Sequence, residues 1–212
     1  MARVTAAFVT SAAGAGGFPK EELPEIAFVG RSNVGKSTLI NALVKATVAR
    51  TSAAPGKTRL ANFYRLHRDG DAPFYLVDLP GYGYARGGRE TAAEFNLLAD
   101  AYFNRAGREG FSPVRGALLL VDSRHPGLDA DRRAWEWLES TGVEHAVLAT
   151  KVDKLTRAER QRHLRELEAH HQGPVLPLSA VSGEGLDELW KLIASLLRRP
   201  PLPPNPLPPS KP

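Results

Sequence analysis

Short apolar runs alternate along this chain with longer segments in which apolar residues recur at helical spacing. The short runs are bounded by turn residues, which is typical of buried strands, and they lie at residues 26–29, 74–77, 116–121, 145–150 and 174–178. Residues 60–67 alternate between two faces and are predicted to pair with 74–77 through the hairpin turn Asp69-Gly70-Asp71. Phe8-Val9-Thr10 could add a strand at the edge of the sheet.

Helices are predicted between these strands. The segments with helical spacing lie at residues 37–48, 90–105, 128–139, 157–171 and 186–197. Strands that alternate with helices of this length are typical of a three-layer α/β fold. We therefore expect a six-stranded, mostly parallel sheet with one antiparallel strand and with helices on both faces.

The chain is predicted to form one domain with a short extension at each end. Residues 1–24 have no strong period, residues 25–199 carry the alternating pattern, and residues 200–212 are mostly proline. Such a proline-rich tail is expected to be extended or disordered, either as a passive tail or as a ligand for a partner domain. Residues 1–17 are interrupted by polar side chains, so we expect no signal peptide.

Composition narrows the class of protein only slightly. No apolar run approaches the ~18–20 residues of a membrane span, and the absence of cysteine fits a reducing cytoplasm. The net charge is +5 and most of the cationic residues are arginine, which suits contacts with nucleic acid. Because Ala, Gly, Pro and Leu are also abundant, a GC-rich genome explains the arginine content equally well.

The strongest chemical signal is the segment Gly30–Ser37, which fits the phosphate-binding pattern G-x-x-x-x-G-K-[ST] between a strand and a helix. Its glycines let backbone N–H groups approach phosphate oxygens, and the helix N-terminus adds partial positive charge. Lys36 is expected to reach the β- and γ-phosphates, and the Ser37 hydroxyl to bind Mg²⁺. Asp78, at the end of a later strand, can hold Mg²⁺ through a water, and the N–H of Gly81 can meet the γ-phosphate.

Two further motifs indicate that the site prefers guanine to adenine. The Asp153 carboxylate, in the segment Thr150–Asp153, can accept the N1–H and N2–H₂ donors of guanine, whereas adenine would leave that carboxylate without donors. The Lys151 stem can lie along the base, and Ser179-Ala180 can offer a backbone N–H to the guanine O6. Taken singly, Asp153 could instead be the N-cap of a helix.

Together these motifs resemble the EngB family of GTPases, in the translation-factor-related class. The resemblance covers about residues 8–198 and rests on the phosphate loop together with four further segments. They are Pro55-Gly56-Lys57-Thr58, Asp78-Leu79-Pro80-Gly81-Tyr82-Gly83-Tyr84-Ala85, Leu120-Val121-Asp122-Ser123-Arg124 and Thr150-Lys151-Val152-Asp153-Lys154. It implies a Ras-like P-loop GTPase domain that hydrolyses GTP to GDP and phosphate. It also implies a role in assembly of the bacterial large ribosomal subunit, with ribosomal RNA and proteins as partners. We further expect the protein to be cytoplasmic and monomeric.

The resemblance also implies two switch segments, at residues 50–58 and 81–90. Thr58 would complete the Mg²⁺ shell, so the predicted metal ligands are Ser37, Thr58 and Asp78. The residues predicted to act in catalysis are Lys36, Thr58, Gly81 and Asn33. The residues predicted to bind the nucleotide are Gly30, Arg31, Ser32, Asn33, Val34, Gly35, Lys36, Ser37, Pro55, Gly56, Lys57, Thr58, Asp78, Leu79, Pro80, Gly81, Thr150, Lys151, Asp153, Ser179 and Ala180.

The expected rate of hydrolysis depends on two residues. Tyr82 stands where many GTPases place a glutamine that orients the attacking water, so we expect slow intrinsic hydrolysis that a partner accelerates. In related GTPases, an asparagine at the position of Asn33 helps to hold K⁺ against the phosphates. The alternative is that Asn33 only stabilises the loop through local hydrogen bonds.

Other functions remain open at this level. A switch that reads only a protein partner, for instance in cell-cycle or division control, would carry the same motifs, and so would a nucleotide-binding module with no useful catalysis. Asp122 and Arg124 are expected to form an ion pair that holds their loop or to contact a partner. Trp135 and Trp137 lie two residues apart on one helix, so we expect one in the core and the other near the surface.

Overall fold

The computed structural model describes residues 3–49, 60–82, 88–107, 110–200 and 203. Its strands are β1 (Val4–Ala12), β2 (Glu25–Gly30), β3 (Ala61–Arg68), β4 (Phe74–Asp78), β5 (Val114–Asp122), β6 (His145–Thr150) and β7 (Val175–Pro177). Its α-helices are α1 (Lys36–Val44), α2 (Gly88–Phe103), α3 (Asp129–Ser140), α4 (Arg157–His171) and α5 (Leu186–Leu197). The predicted proline-rich tail lies outside the described residues except for Pro200 and Pro203.

The strands form one sheet in the order β1-β3-β4-β2-β5-β6-β7. Strands β4, β2, β5, β6 and β7 are parallel, and β3 pairs antiparallel with both β4 and β1. The prediction of a mostly parallel sheet with one reversed strand is therefore confirmed. The predicted number of six strands is wrong by one, because β1 extends the sheet at the place where an edge strand had only been considered. Its small, mostly exposed residues give a weak hydrophobic pattern.

Helices cover both faces of the sheet, as expected. On one face, α2, α3 and α4 contribute Leu98, Tyr102, Leu138 and Leu167 to a core cluster with the inward side chains of the strands. On the other face, α1 and α5 contribute apolar side chains such as Ile40 to a second cluster. Strands β2 and β5 are buried on both sides, which explains why their sequences are apolar almost throughout.

Two details of the helices differ from the sequence predictions. Helix α1 ends at Val44 rather than near 48, because Lys45 adopts a left-handed conformation with φ 52°. The Asn41 side chain then accepts hydrogen bonds from the N–H groups of Val48 and Ala49, which folds this segment back against the helix. The two tryptophans of α3 are not divided between core and surface, since both are partly buried against the same cluster.

Among the described residues, no helix is both long and apolar enough to cross a membrane.

Helix α4 agrees with its predicted bounds because a capping box starts it. The Thr156 side chain accepts a hydrogen bond from the N–H of Glu159, and the Glu159 carboxylate accepts one from the N–H of Thr156.

Candidate nucleotide-binding site

The predicted site residues meet at the carboxyl edge of the sheet. The phosphate loop follows β2, Asp78 ends β4, Asp122 ends β5, and Thr150 ends β6. In open α/β sheets this edge is where ligands bind. The parallel order of these four neighbouring strands is therefore what brings distant motifs together.

The phosphate loop depends on backbone conformations that few residues adopt. Asn33 and Gly35 have φ angles of 63° and 111°, and asparagine and glycine are the residues that tolerate this region best. Gly30 is required for a different reason. A Cβ at this position would lie 2.8 Å from the carbonyl oxygen of Leu120 and 2.9 Å from Val34 Cγ1. The loop can therefore pack closely on β5 only with glycine at its start.

Lys36 is buried inside the phosphate loop. Its Nζ donates hydrogen bonds to the carbonyl oxygens of Gly30, at 3.0 Å, and Arg31, at 3.4 Å. Burial lowers the pKa of Lys36, and the nearby carboxylate of Asp78 acts in the opposite direction. The ammonium group is thus held by loop carbonyls at the place where the motif requires a cation for phosphate.

Ser37 and Asp78 form an oxygen-rich pair beside this lysine. The Ser37 hydroxyl donates to Asp78 Oδ2 at 3.0 Å, whereas Asp78 Oδ1 is buried and has no hydrogen-bond partner among the residues that the structure describes. Burial raises the pKa of Asp78, although the charge of Lys36 and the Ser37 hydrogen bond act to lower it. Hydroxyl and carboxylate oxygens suit Mg²⁺, directly or through its waters, so these residues fit the predicted metal. Thr58, the third predicted ligand, lies outside the described residues with Pro55, Gly56 and Lys57.

Gly81 lies directly against the phosphate loop. The N–H of Ser32 donates to the carbonyl oxygen of Tyr82 at 3.2 Å, and Arg31 pairs with Tyr82 as an isolated parallel bridge. A Cβ at Gly81 would lie 2.6 Å from the Ser32 nitrogen, which no neighbouring backbone could tolerate without moving. The start of the predicted second switch is therefore in close contact with the loop.

The Tyr82 side chain points toward α3. Its hydroxyl donates to Asp131 Oδ1 at 2.8 Å, and its ring contacts Phe95 edge to face, with 6.1 Å between the centroids. Asp131 is only 4% exposed, and burial raises the pKa of both partners. Asp131 was not predicted from the sequence, because nothing in the pattern of α3 marks a buried acid. The Tyr82 phenol, which stands where many GTPases have a glutamine, is therefore hydrogen-bonded to helix α3.

A cavity of about 200 Å³ lies between the phosphate loop and the loops after β6 and β7. It is lined by Val34, Gly35, Thr38, Leu39, Thr150, Lys151, Asp153, Lys154, Leu178, Ala180 and Val181. Most residues that the sequence assigned to the guanine base are therefore neighbours here. Five lining residues were not predicted as site residues, because residues that only line a cavity carry no motif: Thr38, Leu39, Lys154, Leu178 and Val181.

Asp153 is prepared to act as an acceptor in this cavity. The buried Ser179 hydroxyl donates to Asp153 Oδ1 at 2.7 Å, and this hydrogen bond lowers the pKa of Asp153. The alternative role as a helix cap is excluded, because Thr156 caps α4. Ser179 thus contributes its side chain by fixing Asp153.

Two of the predicted residues, Thr150 and Lys151, also stabilise the loops through hydrogen bonds. The buried Thr150 hydroxyl contacts the carbonyl oxygens of Val34, at 2.9 Å, and Val121, at 3.0 Å. Leu79 is fully buried in the core, so its side chain cannot face a ligand. Lys151 Nζ donates to the carbonyl oxygen of Asn33 at 2.7 Å and to Asp122 at 2.9 Å.

Comparison with known proteins identifies the family. The sequence model of a family described as 50S ribosome-binding GTPase matches residues 25–151. The probable GTP-binding protein EngB of Solibacter usitatus is 42% identical over 199 residues, which cover 93% of this chain and 99% of that protein. Its counterpart in Desulforamulus reducens is 40% identical over 203 residues, with 92% and 94% covered.

Solved structures share the fold. The structure of Era in complex with MgGDPNP and nucleotides 1506–1542 of 16S ribosomal RNA has a TM-score of 0.70 and 24% identity, with 89% of this chain and 60% of that chain covered. A crystal structure of a probable GTP-binding protein engB has a TM-score of 0.63 and 24% identity, with 82% and 98% covered. The fold, the motifs and these relatives lead to one conclusion: the chain belongs to the EngB family of GTP-binding proteins and is a GTPase.

Proposed function

We propose that this GTPase is a cytoplasmic switch in assembly of the bacterial large ribosomal subunit. The observation that carries the proposal is the match of residues 25–151 to a family described as 50S ribosome-binding GTPase. The net charge of +5 is compatible with a partner rich in RNA. Among proteins of similar fold, Era has been crystallised with a segment of 16S ribosomal RNA.

Each loop of the site has a distinct role in this proposal. Lys36 and the phosphate-loop N–H groups bind the β- and γ-phosphates, and Asp153 accepts the N–H donors of guanine. Ser37 and Asp78, with Thr58, would hold Mg²⁺, which when bound stabilises negative charge on the phosphates. The lowered pKa of Asp153 supports these assignments, and so does the buried Asp78 oxygen, which has no hydrogen-bond partner in the described part of the chain.

The base assignment is tested by replacing Asp153 with asparagine. An amide offers one acceptor and one donor where guanine presents two donors, so affinity for GDP should fall by about 100-fold or more. The affinity for xanthosine diphosphate, which carries an oxygen in place of the N2 amino group, should rise. Unchanged preference for GDP over xanthosine diphosphate would contradict the assignment.

Slow intrinsic hydrolysis is the second part of the proposal. The chain offers no glutamine after Gly81, and the Tyr82 hydroxyl is engaged by Asp131. Single-turnover GTP hydrolysis by the purified protein should therefore be slow and should accelerate when large-subunit particles are added. Turnover of several per second by the protein alone would contradict this.

Potassium is a separate hypothesis for the same step. Asn33 lies in the phosphate loop with a left-handed backbone, a conformation that asparagine can adopt without any role in ion binding. The two roles are distinguished by measuring hydrolysis in KCl and in NaCl at equal ionic strength. A faster rate in KCl that is lost in Asn33→Gly, which keeps the backbone conformation, supports K⁺; equal rates in both salts contradict it.

The ribosomal role is tested by co-sedimentation with purified 50S particles, and with 30S particles as the control. Binding to 50S should depend on whether GDP or a non-hydrolysable GTP analogue is present. Lys36→Ala, which removes the cation from the phosphate loop, should abolish that dependence. Absence of binding in every nucleotide state would contradict the proposal and favour a switch that reads only a protein partner.

A further inference from the structure

Lys151 belongs to the loop after β6, residues 151–154, which we call the base-binding loop. Its ammonium group is fixed by oxygens from two other parts of the fold. Lys151 Nζ lies 2.7 Å from the carbonyl oxygen of Asn33, in the phosphate loop, and 2.9 Å from Asp122 Oδ2, at the end of β5. The stem of Lys151 runs beside the loop as well, since a Cβ at Gly35 would lie 3.9 Å from Lys151 Cε. One ammonium group therefore links three neighbouring strand ends.

Asp122 is itself held in place by a second cation. Arg124 Nε donates to Asp122 Oδ1 at 2.9 Å, and an Arg124 terminal nitrogen donates to Oδ2 at 2.7 Å, which is the two-pronged geometry that fixes a carboxylate most firmly. The backbone N–H of Arg124 adds a third hydrogen bond to Oδ1 at 3.1 Å. Burial alone would raise the pKa of Asp122, but these hydrogen bonds and the one from Lys151 outweigh it and hold the pKa well below the usual range.

The carboxylate is thus an anion that Arg124 holds in position. Its side chain is 11% exposed, whereas that of Arg124 is 41% exposed. A lysine side chain has several rotatable bonds, so an unsupported Lys151 would sample many orientations and would lose that freedom when a nucleotide binds. An anion that orders Lys151 in advance removes this cost from the binding step.

We propose that Asp122 is a positioning residue for nucleotide binding, which holds the Lys151 ammonium on the phosphate loop, with Arg124 orienting the Asp122 carboxylate. The base-binding loop and the phosphate loop are then coupled through a single side chain. Because the nucleotide contacts both loops in the proposed function, this link should slow nucleotide release. The inference rests on the assignment of Lys151 to the base, which the same experiment tests separately.

The experiment measures dissociation of N-methylanthraniloyl-GDP from the full chain by stopped-flow fluorescence. Asp122→Asn keeps the shape and an acceptor but removes the charge, and it should accelerate release about tenfold, which corresponds to about 1.4 kcal/mol. Arg124→Gln should accelerate release by a smaller factor of about threefold, because Lys151 keeps its charged acceptor. Arg199→Gln, which removes an exposed ion pair with Glu144 that precedes β6 at the opposite edge of the sheet, is the matched control and should leave the rate unchanged.

A double-mutant cycle distinguishes positioning from a general structural role. If Asp122 acts through Lys151, Asp122→Asn should add little to the dissociation rate once Lys151→Met is present. If the Asp122 carboxylate only stabilises its own loop, the effects of the two substitutions on the dissociation rate should be additive, and that result would overturn the inference. So would a release rate within twofold of the parent chain in both Asp122→Asn and Arg124→Gln.

Failure of the underlying assignment has a different signature. If Lys151→Met releases the fluorescent nucleotide at the parent rate, Lys151 does not contact the ligand and both the base assignment and the inference fall. If Lys151→Met accelerates release but neither Asp122→Asn nor Arg124→Gln does, only the inference falls. If Asp122→Asn does not fold, the same decision is reached with Arg124→Gln alone and combined with Lys151→Met, because the Arg124 side chain is 41% exposed and its replacement should be tolerated.

Discussion

Removing the Tyr82 hydroxyl should lower the free energy of unfolding by about 1–3 kcal/mol. In the structure this hydroxyl donates to Asp131 Oδ1 at 2.8 Å, and Asp131 is 4% exposed, so water has little access to replace the lost donor. Tyr82→Phe keeps the ring and therefore keeps the contact with Phe95. The loss then reports the penalty for a buried carboxylate oxygen that has lost a hydrogen bond.

The assay is equilibrium urea unfolding at pH 7, followed by tryptophan fluorescence and far-UV circular dichroism. Tyr75→Phe is the matched control, because the Tyr75 hydroxyl also donates to a carboxylate, that of Glu21, at 3.1 Å. The Glu21 side chain is 52% exposed, so water can replace this donor and the loss should stay below about 0.5 kcal/mol. Equal losses in the two variants, or a loss below about 0.5 kcal/mol for Tyr82→Phe, would refute the reasoning.

Three further predictions concern close packing, protonation and the metal. Gly81→Ala should destabilise the nucleotide-free protein by about 1–3 kcal/mol in urea unfolding, because its Cβ would meet the Ser32 nitrogen at 2.6 Å, whereas Gly16→Ala, with nothing within 4 Å, should change little. Burial and the neighbouring His170 lower the pKa of His171 to about 4. As the pH falls from 7 to 5, the unfolded chain, in which histidine has a pKa of about 6.5, takes up a proton at this residue whereas the folded chain does not. Acidification over this range should therefore lower the free energy of unfolding by about 2 kcal/mol. Urea unfolding of His171→Asn at both pH values should show most of that loss removed. Chelation of Mg²⁺ should accelerate release of fluorescent GDP, and Ser37→Ala should respond less; equal responses of the two proteins would contradict a role for Ser37 in holding the metal.

The parts of the site that the sequence could predict are those encoded locally. The phosphate loop is one continuous segment between a strand and a helix, so its residue types and its backbone requirements follow from neighbours in the chain. The alternation of strands and helices is also a pattern between neighbours in the chain. It predicted the three layers of the fold and the edge of the sheet at which the motifs meet. The strand that it underestimated, β1, is stabilised by pairing with β3 rather than by its own hydrophobic pattern.

The contacts that could not be predicted join residues far apart in sequence. Tyr82 and Asp131 are separated by 49 positions, and their hydrogen bond exists only because the loop after β4 and the helix α3 pack on the same face of the sheet. The cavity beside the phosphate loop shows the same division. Asp153 and Ser179 were each assigned to guanine, but the hydrogen bond between them, which lowers the pKa of Asp153, depends on the pairing of β6 with β7.

Residue type and chain order alone therefore specify a guanine-nucleotide site on a mostly parallel sheet, because each motif carries its own chemistry. The tertiary structure adds how those chemical groups are arranged relative to one another. It places Lys36 on loop carbonyls, leaves one Asp78 oxygen without a hydrogen-bond partner among the described residues, and turns Tyr82 toward α3. These arrangements depend on burial and on distances between strand ends, and neither quantity is encoded in any single segment of the chain.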